Sequence, residues 1–299
     1  PIFSSKPDFI TNENGKGSSI LFRDVQITKP GKYEIKARVP QEQLQVSWEV
    51  YASGPRRVKN VILFVGDGMT IANRTTARVL SKGISEGKYQ GRLAFDDMPS
   101  TAMIGTSGSD SLITDSANSM SAYTTGHKTA VNAMGVYVSR TTDNLSHPKV
   151  ETIAELIKRN TKMSVGIVSD AELQDATPAA VVAHTRRRAD KQYIADQLKA
   201  SGVEVILGGG SAYFYPQSVK GSKRKDEKNL VDSFKADGYQ LAFTKQELLA
   251  TSQSGSTKKL FGVFHPDNMD GSLDRLYLKK NTAEQYPDQP DLTEMTQSA

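Results

Sequence analysis

The chain has 299 residues, a formal net charge of +5 and a hydrophobic fraction of 37%. That length holds one large domain or two ordinary ones, with enough apolar residues for a folded core. Cysteine is absent, which excludes disulfides and thiolate metal sites, so any metal must sit on carboxylates, hydroxyls or imidazoles. No stretch approaches the roughly 20 apolar residues of a membrane span. The opening Pro1-Ile2-Phe3 lacks the basic-then-apolar pattern of a signal peptide, although a leader could have been removed. The basic excess is mild and interspersed with acids, so no nucleic-acid partner is expected.

Residues 1–56 read as a small β-rich accessory region. Segments 19–28, 33–39 and 44–51 are strand-like, with turn signals at Pro30-Gly31 and near Pro40, and Ser53-Gly54-Pro55 forms a junction. From residue 58 strands and helices alternate. Asn60–Val65 is continuously apolar, as a strand covered on both faces should be. A helix follows over 72–82, and a further strand and helix over 111–126. Residues 151–159 place Ile153, Ala154, Leu156 and Ile157 on one helical face. Ser164–Ser169 is a buried strand, 178–188 and 191–201 are helical, and Val203–Leu207 is a third strand. This alternation predicts an α/β domain around a mostly parallel, doubly wound sheet with helices on both faces, with ligands bound beyond the strands' carboxyl ends. The polar stretches 216–229 and 251–259 read as mobile, solvated loops, and Gly208-Gly209-Gly210 as a turn.

Candidate chemistry sits just after the predicted strands. Asp67, between Gly66 and Gly68, offers an exposed carboxylate suited to a divalent metal, or is an ordinary turn aspartate. Ser116, in Thr114-Asp115-Ser116-Ala117-Asn118-Ser119, falls at a helix start, where the helix field favours anions; Asp115 and Ser116 also suit a plain N-cap. Serine is a poor nucleophile unaided, and no histidine lies close in sequence, so a metal would have to help it. Asp175 and Thr177 offer two oxygens for a hard cation such as magnesium, or Thr177-Pro178 is an N-cap followed by proline at the first helical position. In Arg186-Arg187-Arg188 a guanidinium could grip two phosphate oxygens, or the run is a solvated face. A straight helix would set Arg188 roughly 16 Å along the axis from Thr177, so both line one site only if the helix ends early or bends. Of the histidines His127, His147, His184 and His265, His147 forms a D-x-x-x-H spacing with Asp143 in a polar loop, and His184 is expected to pack on its helix.

Together the GDGM stretch around Asp67, TDSANSMSAYTTGHK around Ser116 and AELQDATPAAVVAHTRRR resemble the alkaline phosphatase family, with weaker likeness through KKLFGVF and DLTEMTQSA to residue 299. The resemblance covers about 58–299 and implies an alkaline phosphatase-like catalytic domain over 57–299 that hydrolyses phosphate monoesters through a phosphoserine. It implies that Asp67 bridges a zinc and a magnesium, and that Ser116 is the nucleophile and a zinc ligand. Asp115 would position Arg188, which clamps the phosphate. Thr177 would bind magnesium directly and Asp175 through water. Arg186 and Arg187 fall where the family makes no such use of them. Two zinc ions, one magnesium, a homodimer and a periplasmic or secreted home are implied with these roles. The family's remaining metal ligands come later than this sequence reaches: a glutamate on a strand, an Asp-x-x-x-His pair, an adjacent Asp-His and a final histidine. The expectation is therefore of a chain whose zinc sites are completed by a missing C-terminal half or a second polypeptide. A phosphodiesterase or sulfatase of the same superfamily, or an inactive fragment that binds phosphate or a partner, are the alternatives.

Overall fold

The computed structural model describes residues 6–10, 19–22, 25–52, 54–55, 57–253, 255, 258–272, 274–275 and 286–299. Two compact units emerge, Pro1–Gly66 and Asp67–Ala299.

In the first unit β1 (Asp8–Ile10) pairs antiparallel with β2 (Ser19–Leu21), and β3 (Gly31–Val39) with β4 (Glu42–Val50). Pro40 and Gln41 make the two-residue connection of the second hairpin. Alternation puts Tyr33 opposite Trp48, Ile35 opposite Val46 and Ala37 opposite Leu44, all on one face. The strands expected over 33–39 and 44–51 are thus present. Only Ser19–Leu21 of the stretch expected over 19–28 is a strand, and Ser53 of the expected junction, like residues 23 and 24, lies outside the described residues. Asn60–Val65 is not a strand: the segment enters no ladder, and Val61, Ile62, Leu63 and Phe64 are 66–77% exposed. Continuous apolarity describes a strand that neighbours cover; it does not supply those neighbours.

The second unit opens with α1 (Ile71–Lys82), begun by a Thr70–Asn73 capping box. A short hairpin, β5 (Ile84–Ser85) with β6 (Lys88–Tyr89), follows, and Arg74 and Arg78 both bond Asp96. Next come α2 (Ser116–Thr125) and α3 (Ile153–Asn160), the latter capped by Thr152 with Glu155. Then come β7 (Gly166–Glu172), α4 (Ala176–Ala179), α5 (Lys191–Ser201) and β8 (Val205–Gly209). The chain continues through α6 (Leu230–Ala236), β9 (Gln240–Ala242), α7 (Lys245–Gln253), β10 (Leu260–Val263) and α8 (Leu292–Ser298).

The four strands β7-β8-β10-β9 form one sheet, parallel at every pairing. Ile167, Ile206, Phe261 and Val263 face one core, shared with Ile194, Ala195 and Leu198 of α5 and Leu230, Val231 and Phe234 of α6. Leu207, Leu260 and Phe264 face the other, with Leu248 of α7 and Met295 of α8. Strand alternation therefore divides the apolar residues between two helical layers, the architecture expected from the alternating pattern. On the first face the rings of Phe234 and Phe261 stack with centroids 4.0 Å apart, and Phe214 meets Phe261 edge-on at 5.1 Å.

Further expectations are corrected. Residues 111–114 form no strand, and α2 is entered from an irregular segment. The helix expected over 178–188 ends at Ala179, because Thr185 leaves it to exchange backbone bonds with Met134 at 2.8 and 3.0 Å. Gly208 and Gly209 belong to β8 rather than to a turn; a Cβ on Gly209 would meet Asp267 O at 2.3 Å. The loop 216–229 is held rather than free: the Arg224 guanidinium is buried between Asp196 at 2.9 Å and Asp226 at 2.7 Å. The stretch 251–259 begins inside α7, and residues 254, 256 and 257 lie outside the description.

Tyr239 is buried and its hydroxyl donates to Val203 O at 2.7 Å. Burial, aided by the charges of Glu204 and Asp237, pushes the phenol up to about 12. A raised folded value leaves stability intact below the ordinary tyrosine value of about 10, and stability is lost as pH rises through the folded one. Unfolding free energy should therefore fall more steeply between about pH 10 and 12 in wild type than in Tyr239→Phe, measured by urea titration at each pH. Parallel curves would show that this phenol ionises like a free one.

Candidate functional site

The site is built from the start of α2. Asp115 is its N-cap: Oδ1 accepts the Asn118 N–H at 3.1 Å, and the Asp115 N–H donates to Asn118 Oδ1 at 2.9 Å. This capping box makes Ser116 the first helical residue, in the positive field of the helix N-terminus. The second carboxylate oxygen, Oδ2, accepts the Asn132 N–H at 3.2 Å. Both Asp115 oxygens are thereby oriented by backbone donors.

Arg188 joins this helix start to the segment after β7. Its Nη1 donates to Ser116 Oγ at 2.9 Å and to Asp115 Oδ2 at 3.3 Å, while Nη2 donates to Asp175 Oδ1 at 2.8 Å. The early end of the helix makes this reach feasible, and the separation of roughly 16 Å that a straight helix imposes does not arise. Asp175 is the N-cap of α4, accepting the Ala176 N–H at 2.7 Å, so the cap lies two residues before Thr177 and Pro178 is not the first helical residue. Burial pushes the Asp175 carboxyl up, but the Arg188 hydrogen bond, the Ala176 N–H and the Arg188 charge outweigh it and hold the group below its ordinary value. For Arg188 burial pulls the guanidinium down, and the bonds to Asp175 and Asp115 reverse this and raise it.

The other two predicted residues meet each other. Thr177 Oγ1 donates to Asp67 Oδ2 at 2.7 Å, across 110 positions of sequence. Two hard oxygens so placed suit magnesium, which needs few protein ligands because it keeps much of its water. Zinc is different, since a catalytic zinc takes three protein ligands. Among the described residues no group of three or more His, Asp or Glu side chains could hold a metal ion. Asp67 and Thr177 are thus oxygen donors of the kind a hard cation takes, and the described residues alone do not make up a zinc site.

The remaining candidates lie elsewhere. His147 Nδ1 takes the Ser139 N–H at 3.0 Å, while Asp143 caps its own loop through Ser146 and the Leu145 N–H. His184 is not on a helix; it is buried, with Nδ1 2.6 Å from Gly135 O and Nε2 2.9 Å from Glu155. His127 lies edge-on to Tyr137, and His265 accepts the Asp267 N–H. Arg186 donates to Val131 O at 3.0 Å, and Arg187 is exposed. Two site neighbours, Asn118 and Asn132, escaped the sequence reading. Asn118 had a readable signal, three residues after an N-cap aspartate; Asn132 had none, since only folding brings it to Asp115.

Fold and cluster define the class: an α/β protein that gathers a hydroxyl, a guanidinium and two aspartates beyond the carboxyl end of a parallel sheet strand. The chain belongs to the alkaline phosphatase family, whose model matches residues 58–299. It is 35% identical to the alkaline phosphatase of Escherichia fergusonii over 71% of this chain and 47% of that protein. It is 34% identical to alkaline phosphatase H of Pseudomonas aeruginosa over 72% and 47%. The cold-active alkaline phosphatase of Shewanella sp. superposes with a TM-score of 0.58 at 28% identity, over 70% of this chain and 47% of that one. The Thermus thermophilus alkaline phosphatase gives 0.54 at 28% identity, over 66% and 36%. The chain thus spans about half the length of the curated relatives it matches. Among the described residues, no helix is long and apolar enough to cross a membrane.

Because Arg188 holds the Asp175 carboxyl low, the pair adds stability above the ordinary aspartate value of about 3.9, and this is lost as pH falls through the depressed folded value. In Arg188→Ala burial is opposed only by the Ala176 N–H and the charge of Lys191. The Asp175 carboxyl, followed by carbon-detected NMR, should then titrate higher than in wild type. An unchanged midpoint would mean that the guanidinium is not what depresses it.

Proposed function

We propose that this chain carries the nucleophile and phosphate clamp of a phosphomonoesterase. The observation that carries the reading is the Arg188 guanidinium, donating to Ser116 Oγ at 2.9 Å with one nitrogen and to Asp175 at 2.8 Å with the other. A phosphate seated there finds one face of a guanidinium already aimed at the attacking oxygen. It also finds the first free N–H groups of α2, which suit the equatorial oxygens where charge spreads in phosphoryl transfer.

In this reading Ser116 Oγ attacks phosphorus in line. The new Oγ–P bond forms as the ester P–O bond breaks, the Ser116 hydroxyl proton passing to solvent and the leaving oxygen taking one from it; water later cleaves the phosphoserine, so two inversions retain configuration. Arg188 orients the phosphate, and Asp115 and Asp175 hold the guanidinium from two sides so that little reorganisation is left to the reaction. Asp67 and Thr177, with Asp175 through water, would hold magnesium, which when bound supplies positive charge beside the site. The two zinc ions of the family reading would need ligands beyond those described. A periplasmic or secreted homodimer is the setting the family resemblance supports.

The test is covalent labelling. The protein is incubated with labelled inorganic phosphate, zinc and magnesium, quenched in acid and digested, and the phosphorylated peptide is identified. Label should sit on Ser116 and disappear in Ser116→Ala, whose hydrolysis of p-nitrophenyl phosphate should be lower by about 10³-fold or more. Label on another residue, or equal turnover by both proteins, would overturn the assignment.

A further inference from the structure

The arginine run leaves two members, Arg186 and Arg187, without a role in the clamp. Arg186 does not point into solvent: its guanidinium donates to Val131 O at 3.0 Å. The same peptide bond donates its other group, the Asn132 N–H, to Asp115 Oδ2 at 3.2 Å. The plane of the Val131–Asn132 peptide is thus gripped from both sides, by the Arg186 side chain and by the helix N-cap. Val131 is itself fixed, its N–H donating to Asp110 Oδ1 at 3.0 Å. The result is a left-handed Asn132, with φ at +68°. Residues other than glycine rarely adopt that conformation, and asparagine tolerates it better than most. It is one of two such non-glycine positions, Glu86 being the other, among the described residues. Asn132 also accepts the backbone N–H of Arg188 at 2.9 Å. One residue therefore holds both the root of the Arg188 side chain, through its carbonyl, and the acidic partner of its head, through its N–H.

We propose that Asn132, locked in this conformation by Arg186, is a positioning residue that sets the spacing between Asp115 and Arg188 and hence the seat for phosphate. The inference rests on the clamp role given above to Arg188. Its physical content is that a held, sparsely populated backbone conformation at a candidate site is kept because the surroundings impose it. Arg186 acts through a carbonyl and has no contact with the substrate, which explains how a run of three arginines can contain one phosphate ligand and one brace.

Two readouts separate this proposal from the reading beneath it. Hydrogen exchange of the Arg188 backbone N–H, followed by NMR on the full chain, reports the brace without any ligand. In Arg186→Met it should speed up by about tenfold relative to wild type, while amides of the β8 core keep their protection. Binding of inorganic phosphate by calorimetry reports the seat, and should weaken by about tenfold in Arg186→Met. Asn132→Val and Asn132→Gly form a second pair that keeps Arg186, for use should Arg186→Met not fold. Glycine adopts φ of +68° freely and should hold phosphate more tightly than valine, which cannot adopt it without strain. Unchanged exchange at Arg188 in Arg186→Met, or equal phosphate affinity in the glycine and valine variants, would overturn the proposal. If phosphate affinity in wild type equals that in Arg188→Ala, the clamp reading falls, and the exchange measurement still decides whether Arg186 braces the segment that carries Arg188.

Discussion

The guanidinium of Arg188 is the point on which the site depends. It is a single planar group that reaches a helix start on one side and the segment after β7 on the other. With the side chain 28% exposed, its charge is only partly screened, and two carboxylates confine it. Such an arrangement is a compromise. Carboxylates that hold the arginine still also compete with any anion for its positive charge. The compromise works because the donors of a guanidinium form a fork with more hydrogens than two aspartates consume.

What allows the fork to reach both sides is a helix that stops. α4 has four residues; the chain then turns over 180–182, makes a single bridge at Thr185 with Met134, and bends to arrive at Arg188. The alanine-rich Ala176–Ala180 stretch would readily continue as helix on propensity alone. Pairing with the 132–134 segment and burial of His184 against Gly135 and Glu155 override that preference. Gly135 belongs to the same arrangement: its φ is +55°, and a Cβ there would lie 2.7 Å from both Ala183 O and the His184 ring. A small residue thus lets two loop segments approach closely enough to pin the segment that carries the arginine.

The sequence made the parallel sheet and most of its helices legible, because alternation of apolar strands with amphipathic helices is a local signal. β7, β8, α3 and α5 lie within a few residues of where periodicity places them. Asp67, Asp115, Ser116, Asp175, Thr177 and Arg188 were also readable as candidates, from segments that read as strands before them and from family wording, and the structure brings them into two groups, Asp67 with Thr177 and Arg188 with Asp115, Ser116 and Asp175. Illegible were the features made by tertiary pairing. Asn60–Val65 has the composition of a central strand, yet pairing is not encoded in one strand's own residues. The end of α4 is set by Met134, more than forty positions upstream. The left-handed Asn132 leaves no mark in composition or spacing.

Arg224 shows how far charge can mislead about order. The stretch 216–229 holds Lys220, Lys223, Lys225 and Lys228 beside it, which by composition is an inviting target for a protease that cuts after basic residues. Yet Arg224 is withdrawn from solvent into Asp196 and Asp226, Lys228 is tied to Asp196, and Lys223 to Asp267. A protease must draw several residues of extended chain into its cleft, so cleavage after Arg224 requires this ionic knot to open first. Cleavage after Arg224 is therefore hindered by the same charges that make the stretch look like a substrate.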